Sequence, residues 1–347
     1  MNMNGCFSIL WSFILLFPCI FLTAAEKSAA KEDLHTAEQY RKAAELGDME
    51  AQCKLAECYE KGKGVPQNYS RAIKYYQKAA LQGSLEAQFR LGTCYTDGIG
   101  VKKDNVLAAE YFRKAALQGS ARAQYNLGIL YAKGIGVKKD DAKAREYFRK
   151  AALQGLAQAQ HNFGIHCLNG IGGKKDEAKA VTFFRKAALQ GLVQAQCVLG
   201  ICYADGIGVK KDEAKAVTFF RKAALQKSAE AQFRLGVCYA EGSGVEMDNA
   251  LAAEYFRKAA LQGYIAGQYN LGIFYWKGIG VKMNHAEAIK WLRKAADQNL
   301  AEAQYLLGLL YLRGDCIRKD YSLAVDYLLK AAEQGHKPAL RSLINFE

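Results

Sequence analysis

Residues 120–155 read SARAQYNLGILYAKGIGVKKDDAKAREYFRKAALQG. Ala123, Leu127, Leu130 and Tyr131 fall at i, i+4, i+7 and i+8, one face of a helix. Gln124 and Gly128 share that core face. Gly134-Ile135-Gly136 ends the helix, because glycine adopts the left-handed conformation needed at a helix C-terminus. Asp140 stands where a second helix needs its N-cap. Ala144, Tyr147, Phe148, Ala151 and Ala152 then give a second apolar face, and Gly155 closes the unit. Gly128 inside the first helix costs about 1 kcal/mol relative to alanine, which implies that another helix approaches closely there. These residues therefore predict a helix–turn–helix.

The unit recurs. Gly-x-Gly stands at 62/64, 98/100, 134/136, 170/172, 206/208, 242/244 and 278/280, always 36 residues on. An eighth copy starts at Gly314 with Cys316 in the second place. Lys-Ala-Ala keeps the same step from Lys42 to Lys330. The small slot of the second helix runs from Ala72 to Ala324, and the aromatic slot three residues on runs from Tyr75 to Tyr327. A fixed period of this length means a stacked array, because no single unit can bury its apolar face. Duplication is visible at a longer range: 252–263 repeats 108–119, and 176–190 matches 212–226.

Composition agrees. The 347 residues hold 32 Gly and 20 Tyr but only 3 Pro, the excess expected of one short unit copied many times. A Gly content far below one third excludes collagen, and 51% hydrophobic with 24% charged residues excludes a disordered chain.

The pattern resembles the Sel-one-like repeat family. In the second copy it stands as Ala87, Leu91-Gly92, Tyr95, Gly98, Gly100-Val101, Asp104, Ala108, Tyr111-Phe112, Lys114-Ala115-Ala116 and Gly119. The departures are Ala56 for Gly, Cys167 for Tyr, Gly173 for Val, Lys227 and Asn299 for the closing Gly, and Cys316 for Gly. The resemblance implies an all-α, right-handed α/α superhelical solenoid of eight 36-residue helix-turn-helix repeats, similar to tetratricopeptide repeats. The repeats would be 48–83, 84–119, 120–155, 156–191, 192–227, 228–263, 264–299 and 300–335. It also implies a non-catalytic scaffold or adaptor with a concave groove. Exported bacterial members of the family have envelope and host-interaction roles, and a eukaryotic branch serves as an adaptor in the endoplasmic reticulum.

By that resemblance the first helices line the groove. One stripe is aromatic: Phe89, Tyr125, Phe233, Tyr269, Tyr305 and, further along, Trp276. The stripe beside it is polar: Arg90, Asn126, Asn162, Arg234 and Asn270, with Lys133 and Lys277. Rings flanked by Asn and Arg suit an extended protein or peptide partner. The competing account packs the aromatics between adjacent first helices.

The net charge of +14 comes from 48 Lys+Arg against 34 Asp+Glu and is columnar: Lys102-Lys103 and its copies in one loop, Arg113-Lys114 and its copies on the second helix. Such columns suit an anionic surface. A solvated face with Glu110–Lys114 type pairing is the plainer account. No nucleic-acid motif occurs.

Eight cysteines lie beyond residue 25, at 53, 58, 94, 167, 197, 202, 238 and 316. Those sharing a column in adjacent helices are too far apart to bridge, so free buried thiols are expected. The family has a bridged branch with cysteines near the Lys-Ala-Ala slots, but here those slots hold alanine. His161, His166, Cys167, Cys197 and Cys202 face different ways on their helices, so neither a metal nor another cofactor is expected. Catalytic motifs are missing as well: no G-x-S-x-G, no Walker A, and a single S-x-x-K at Ser28–Lys31 without its companions. Some exported relatives have been linked to weak β-lactam hydrolysis, so an envelope enzyme acting on β-lactams or peptidoglycan is the alternative function.

Residues 1–25 carry no charged side chain, and 7–22 are nearly all apolar before Thr23-Ala24-Ala25. This reads as a signal peptide cleaved after Ala24 or Ala25, which makes the protein periplasmic or secreted. The alternative is a membrane anchor over residues 7–25, the one way a membrane becomes a partner. Residues 26–33 read as a polar linker, 34–47 as a half-repeat cap and 336–347 as a C-terminal half-repeat.

Overall fold

The structure, a computed structural model, describes residues 24–315 and 317–344. The apolar segment 7–22 and Cys316 lie outside them. The described residues form eighteen helices and no strand. Two compact units share them. The first holds α1 (Ala24–Glu45), α2 (Met49–Lys61), α3 (Tyr69–Leu81), α4 (Leu85–Asp97) and α5 (Asn105–Leu117). The second holds α6 (Ala121–Lys133), α7 (Asp141–Leu153), α8 (Ala157–Asn169), α9 (Glu177–Leu189), α10 (Val193–Asp205) and α11 (Glu213–Leu225), then α12 (Ala229–Glu241), α13 (Asn249–Leu261), α14 (Ile265–Lys277), α15 (His285–Asp297), α16 (Ala301–Arg313), α17 (Tyr321–Glu333) and α18 (Lys337–Ile344). Within each unit every helix packs on the next, the arrangement of an all-α repeat solenoid.

The ends of the repeats are built as the sequence predicts. Gly206 caps α10 at φ +73° and its N–H reaches Cys202 O. The loop turns back through Asp212 N–H donating to Tyr203 O at 2.8 Å. Asp212 Oδ1 then accepts from Lys215 N–H and caps α11. Asp140 caps α7 in the same way. At the two ends, Ala37 and Ala44 of α1 and Ala339 of α18 are buried. One boundary differs. Residues 26–33, expected as a linker, form the first turns of α1, whose Ala24–Ala37 stretch is rich in good helix formers. No helix among the described residues is long and apolar enough to cross a membrane.

The helix glycines serve close approach. A Cβ on Gly200 would lie 2.5 Å from the Phe220 ring, and Gly92, Gly128, Gly164 and Gly236 meet their partner phenylalanines in the same way. Small alanines, the apolar anchor of the first helix and one aromatic or leucine of the second thus interlock in each repeat. Repeat one has Ala56 at the glycine slot, opposite Tyr76, whose hydroxyl is held by Glu60 Oε2 at 2.5 Å.

Between repeats runs a ladder that the sequence reading did not anticipate. Gln52, Gln88, Gln124, Gln160, Gln196, Gln232, Gln268 and Gln304 are all buried. Gln196 donates from Nε2 to Ala188 O of the preceding repeat at 3.2 Å, and its Oε1 accepts from Gln226 at 3.0 Å. Gln160, with Ala152 O and Gln190, repeats the pattern. A buried amide is tolerated only when its groups are bonded. Here the glutamine adds a side-chain bond to a helix-end carbonyl that already accepts from the closing turn, as Ala188 O does from Gly191 N–H at 3.1 Å, and so ties the turn to the next repeat. The visible signal was the Gln in the fourth place of each of these eight first helices, paired with a Gln 30 residues later.

Candidate functional site

Facing aromatic slots of the two helices stack. Tyr131 and Tyr147 lie 5.8 Å apart at 3°, and Tyr95–Tyr111, Tyr203–Phe219 and Tyr239–Tyr255 follow suit. The lysine of Lys-Ala-Ala lies over the second ring, as Lys150 does over Tyr147 at 5.3 Å and Lys222 over Phe219 at 5.4 Å. Much of the basic column on the second helix therefore has a structural role as cation–π partner.

The aromatic stripe of the first helix is only partly a lining. Phe89 is 5% exposed and packs 5.8 Å from Phe112 of its own repeat. Tyr125 on Phe148 and Phe233 on Phe256 make the same contact, and Phe233 also meets Tyr264. Tyr305 packs on His336 at 4.7 Å. Rings at this position therefore do both: Tyr125 and Phe233 pack on the second-helix aromatic of their own repeat, and Phe233 on the α14 cap Tyr264, Tyr305 on His336 ahead of α18 and Tyr125 on Asn162 of α8 also reach the next first helix. Tyr125, Phe233, Tyr269 and Tyr305 keep part of their surface in solvent; Phe89 does not.

The polar stripe divides. Arg90 is occupied: its Nε donates to Glu86 at 2.6 Å and its Nη1 lies 3.5 Å from Glu60, contacts that favour the charged form. Asn270 bonds Ala266 O within its own helix. Arg234 approaches Glu230 at 3.8 Å, while its buried Nε has no partner among the described residues. Lys277 is exposed and lies 5.7 Å from the Trp276 ring. Asn126 is half-buried on α6.

Lys133 and Asn162 are brought together. They line an open cleft of about 230 Å³ with Ile129, Ala132, Phe148, Ile165 and His166, all within the second unit. Its walls are apolar, and its polar groups are an exposed ammonium, an amide hydrogen-bonded to the Tyr125 hydroxyl and an imidazole. Burial pushes the His166 pKa down, so the ring is neutral at pH 7; it sits edge-on to Phe148 at 5.1 Å with Nδ1 3.3 Å from Ile171 O. The sequence reading singled out His166 only as a metal candidate. Its place in the cleft follows from Leu130 and Cys202 holding the same column as core residues.

Repeat four departs from the others twice, and one side chain links the departures. Arg145 of the preceding repeat reaches Cys167 Sγ at 3.6 Å and Lys174 O at 2.9 Å. A Cβ on Gly173 would lie 2.8 Å from Arg145 Nη1. Cys167 for Tyr and Gly173 for Val together make room for the guanidinium.

The seven described cysteines are free thiols, and all but Cys58 are buried. Desolvation pushes Cys94, Cys197, Cys202 and Cys238 up to about 11, which suppresses the reactive thiolate. Among the described residues no three His, Cys, Asp or Glu side chains converge as metal ligands.

A family model described as Sel1 repeat matches nine segments: residues 40–48, 50–84, 85–120, 121–156, 157–192, 193–228, 229–264, 265–300 and 301–336. The chain belongs to the Sel1 repeat family. Among solved structures it is similar to a protective antigen present in uropathogenic Escherichia coli strains that displays an SLR fold. The identity is 34% and the TM-score 0.70, over 91% of this chain and 79% of that one. It is also similar to a Sel1 repeat protein from Oxalobacter formigenes, with 32% identity and a TM-score of 0.70, over 89% of this chain and 90% of that one. No curated relative matches. Sel1 repeat proteins are in general scaffolds for protein interaction, and the family is typically non-catalytic. The matched segments run about one residue later than the units read from the glycine pattern.

Proposed function

We propose that this Sel1 repeat protein is an exported, non-catalytic scaffold that binds a partner protein or an extended peptide on its first-helix face, centred on the Lys133–Asn162 cleft. The cleft carries the proposal. Apolar walls from Ile129, Phe148 and Ile165 can take a partner side chain. Lys133 and Asn162 stand beside them to bond a backbone or carboxylate group. Asn162 is bonded to the Tyr125 hydroxyl, but an amide has further donor and acceptor capacity and this one lines the cleft, whereas Arg90 and Asn270, engaged within the protein, do not line it. Capture of partners from the extracytoplasmic fraction tests this. The paired substitution Lys133→Ala and Asn162→Ala should lower capture at least tenfold with the helical circular dichroism unchanged. Equal capture by both proteins would overturn the reading.

Export rests on the uncharged, apolar N-terminus and its small-residue exit. The likeness to a protective antigen, a protein by that description seen by a host, supports an envelope or host-facing role. Mass analysis of the protein recovered from its native host is expected to give a chain starting at Ala25 or Glu26. A chain retaining residues 7–22 would assign that segment to anchoring instead.

A further inference from the structure

The last residue of α7, α9, α11 and α13 is leucine: Leu153, Leu189, Leu225 and Leu261. In a family that buries its apolar residues so regularly, these four are 63% to 84% exposed. Leu81 and Leu117 occupy the same slot in the first unit and are equally exposed. The slot is not apolar throughout: Asp297 and Glu333 fill it in the last two repeats. No contact within the fold accounts for the leucines, since the packing slots of the same helices are already filled by the alanines and phenylalanines of the core.

The first three leucines stand on one joined edge, and Leu261 holds the same slot in the next repeat. Gln190 Nε2 donates to Gly155 O at 2.9 Å, and Gln226 Nε2 to Gly191 O at 3.1 Å, so the turns after Leu153, Leu189 and Leu225 are stitched side by side. The edge is cationic. Arg185 and Lys186 precede Leu189 by four and three residues, on the same helix face, and both are exposed. Each of the other three leucines has the same Arg-Lys pair before it. In the outer two repeats of this row the lysine is neutralised in part, by Glu146 on Lys150 and Glu254 on Lys258, each at 2.6 Å. In the middle two, Thr182 and Thr218 replace that glutamate. Arg185 donates to the Tyr203 hydroxyl at 2.9 Å and Lys186 lies over the Phe183 ring at 5.2 Å, as Arg221 and Lys222 do with Tyr239 and Phe219; these partners are neutral, so net positive charge is greatest where Leu189 and Leu225 project.

The geometry points to this edge as a docking surface for an anionic phospholipid bilayer. The leucine side chains enter the interface while the arginine and lysine groups meet headgroup phosphates. A second copy of the chain seated edge to edge would set like charges against each other. Single leucines separated by basic side chains would need a matching row of pockets in a protein, whereas a lipid interface accepts them without any. Asp297 and Glu333 mark where the surface ends, because a carboxylate there is repelled by the same headgroups. The proposal concerns a different face from the Lys133–Asn162 cleft and stands without it.

The test uses the full chain and vesicles of phosphatidylcholine alone or mixed in equal parts with phosphatidylglycerol. With Leu189→Trp, after subtraction of the wild-type spectrum, tryptophan emission should move to the blue with the anionic vesicles and stay unmoved with the neutral ones. Replacing the four leucines by glutamate, the kind of residue the last two repeats carry, should lower partition to the anionic vesicles at least tenfold with the helical signal retained. Residues 1–25 are common to both proteins, so the difference reports the edge. An unmoved emission, an equal shift with both vesicles, or equal partition of both proteins would overturn the proposal. Self-association of the wild type that the glutamate variant abolishes would also overturn it and assign the edge to a second copy.

Discussion

Gly208→Ala should destabilise the protein by about 3 kcal/mol or more, whereas Gly191→Ala, at the closing turn of the preceding repeat, should cost only about 1 kcal/mol. Both residues have positive φ, +65° and +88°, so each substitution carries the penalty of an L-residue in the left-handed region. They differ in what surrounds them. A Cβ on Gly208 would lie 2.3 Å from Glu177 O, 2.5 Å from its carbonyl carbon and 3.0 Å from Ala178 N, all backbone of the preceding repeat's second helix. A Cβ on Gly191 would meet nothing within 4 Å. Backbone at a helix N-terminus cannot swing aside as a side chain can. Relief at Gly208 therefore requires the loop to lift off the preceding repeat, and a solenoid is held together by such contacts between neighbours. The closing slot is known to tolerate side chains, since Lys227 and Asn299 occupy it at φ 63° and 67°. Urea unfolding of the two variants checks the prediction. Equal midpoints would mean that Gly208 is only a turn residue.

That asymmetry shows how far the sequence could be read. Period, helix pairing, the Asp140 cap and the close approach at Gly128 were all legible, because each leaves a local mark: a spacing, a capping residue, a glycine where alanine would favour the helix. The second glycine of Gly-x-Gly was legible as a turn but not as an inter-repeat contact, since that contact is to backbone and backbone has no letter. The glutamine ladder was hidden for a related reason. Gln196 sits on a core face, but one of its partners is a main-chain carbonyl and the other is 30 residues away. The candidate groove suffered most. Helical angle placed Phe89, Arg90 and Asn162 on one surface, yet angle says nothing of reach. Phe89 is long and flat enough to fold onto Phe112, Arg90 reaches two carboxylates, and Asn162, shorter, stays at the cleft.

The second large effect concerns the pair formed by the glycine of the first helix and the aromatic of the second. Phe220→Ala should cost about 3–5 kcal/mol, near the upper end because the site collapses poorly. Phe220 is buried, and the wall facing its ring is Gly200, which has no side chain to move into the hole. The same geometry predicts a change of sign. In the wild type a Cβ at Gly200 would lie 2.5 Å from Phe220 Cε1 and 2.7 Å from Cδ1, so Gly200→Ala forces the ring against its neighbours and costs about 1–3 kcal/mol by overpacking. With Phe220→Ala in place the ring is gone. The added methyl then fills part of the cavity, and alanine in a helix interior gains about 1 kcal/mol over glycine. Gly200→Ala should therefore destabilise the wild type and stabilise the Phe220→Ala variant, a coupling of about 2–3 kcal/mol in a double-mutant cycle. Repeat one, with Ala56 opposite Tyr76, shows that the slot can carry a methyl when the facing ring is placed to suit it. Additive effects of the two substitutions would mean that the recurring glycine serves helix bending or folding rather than the seat of the facing ring.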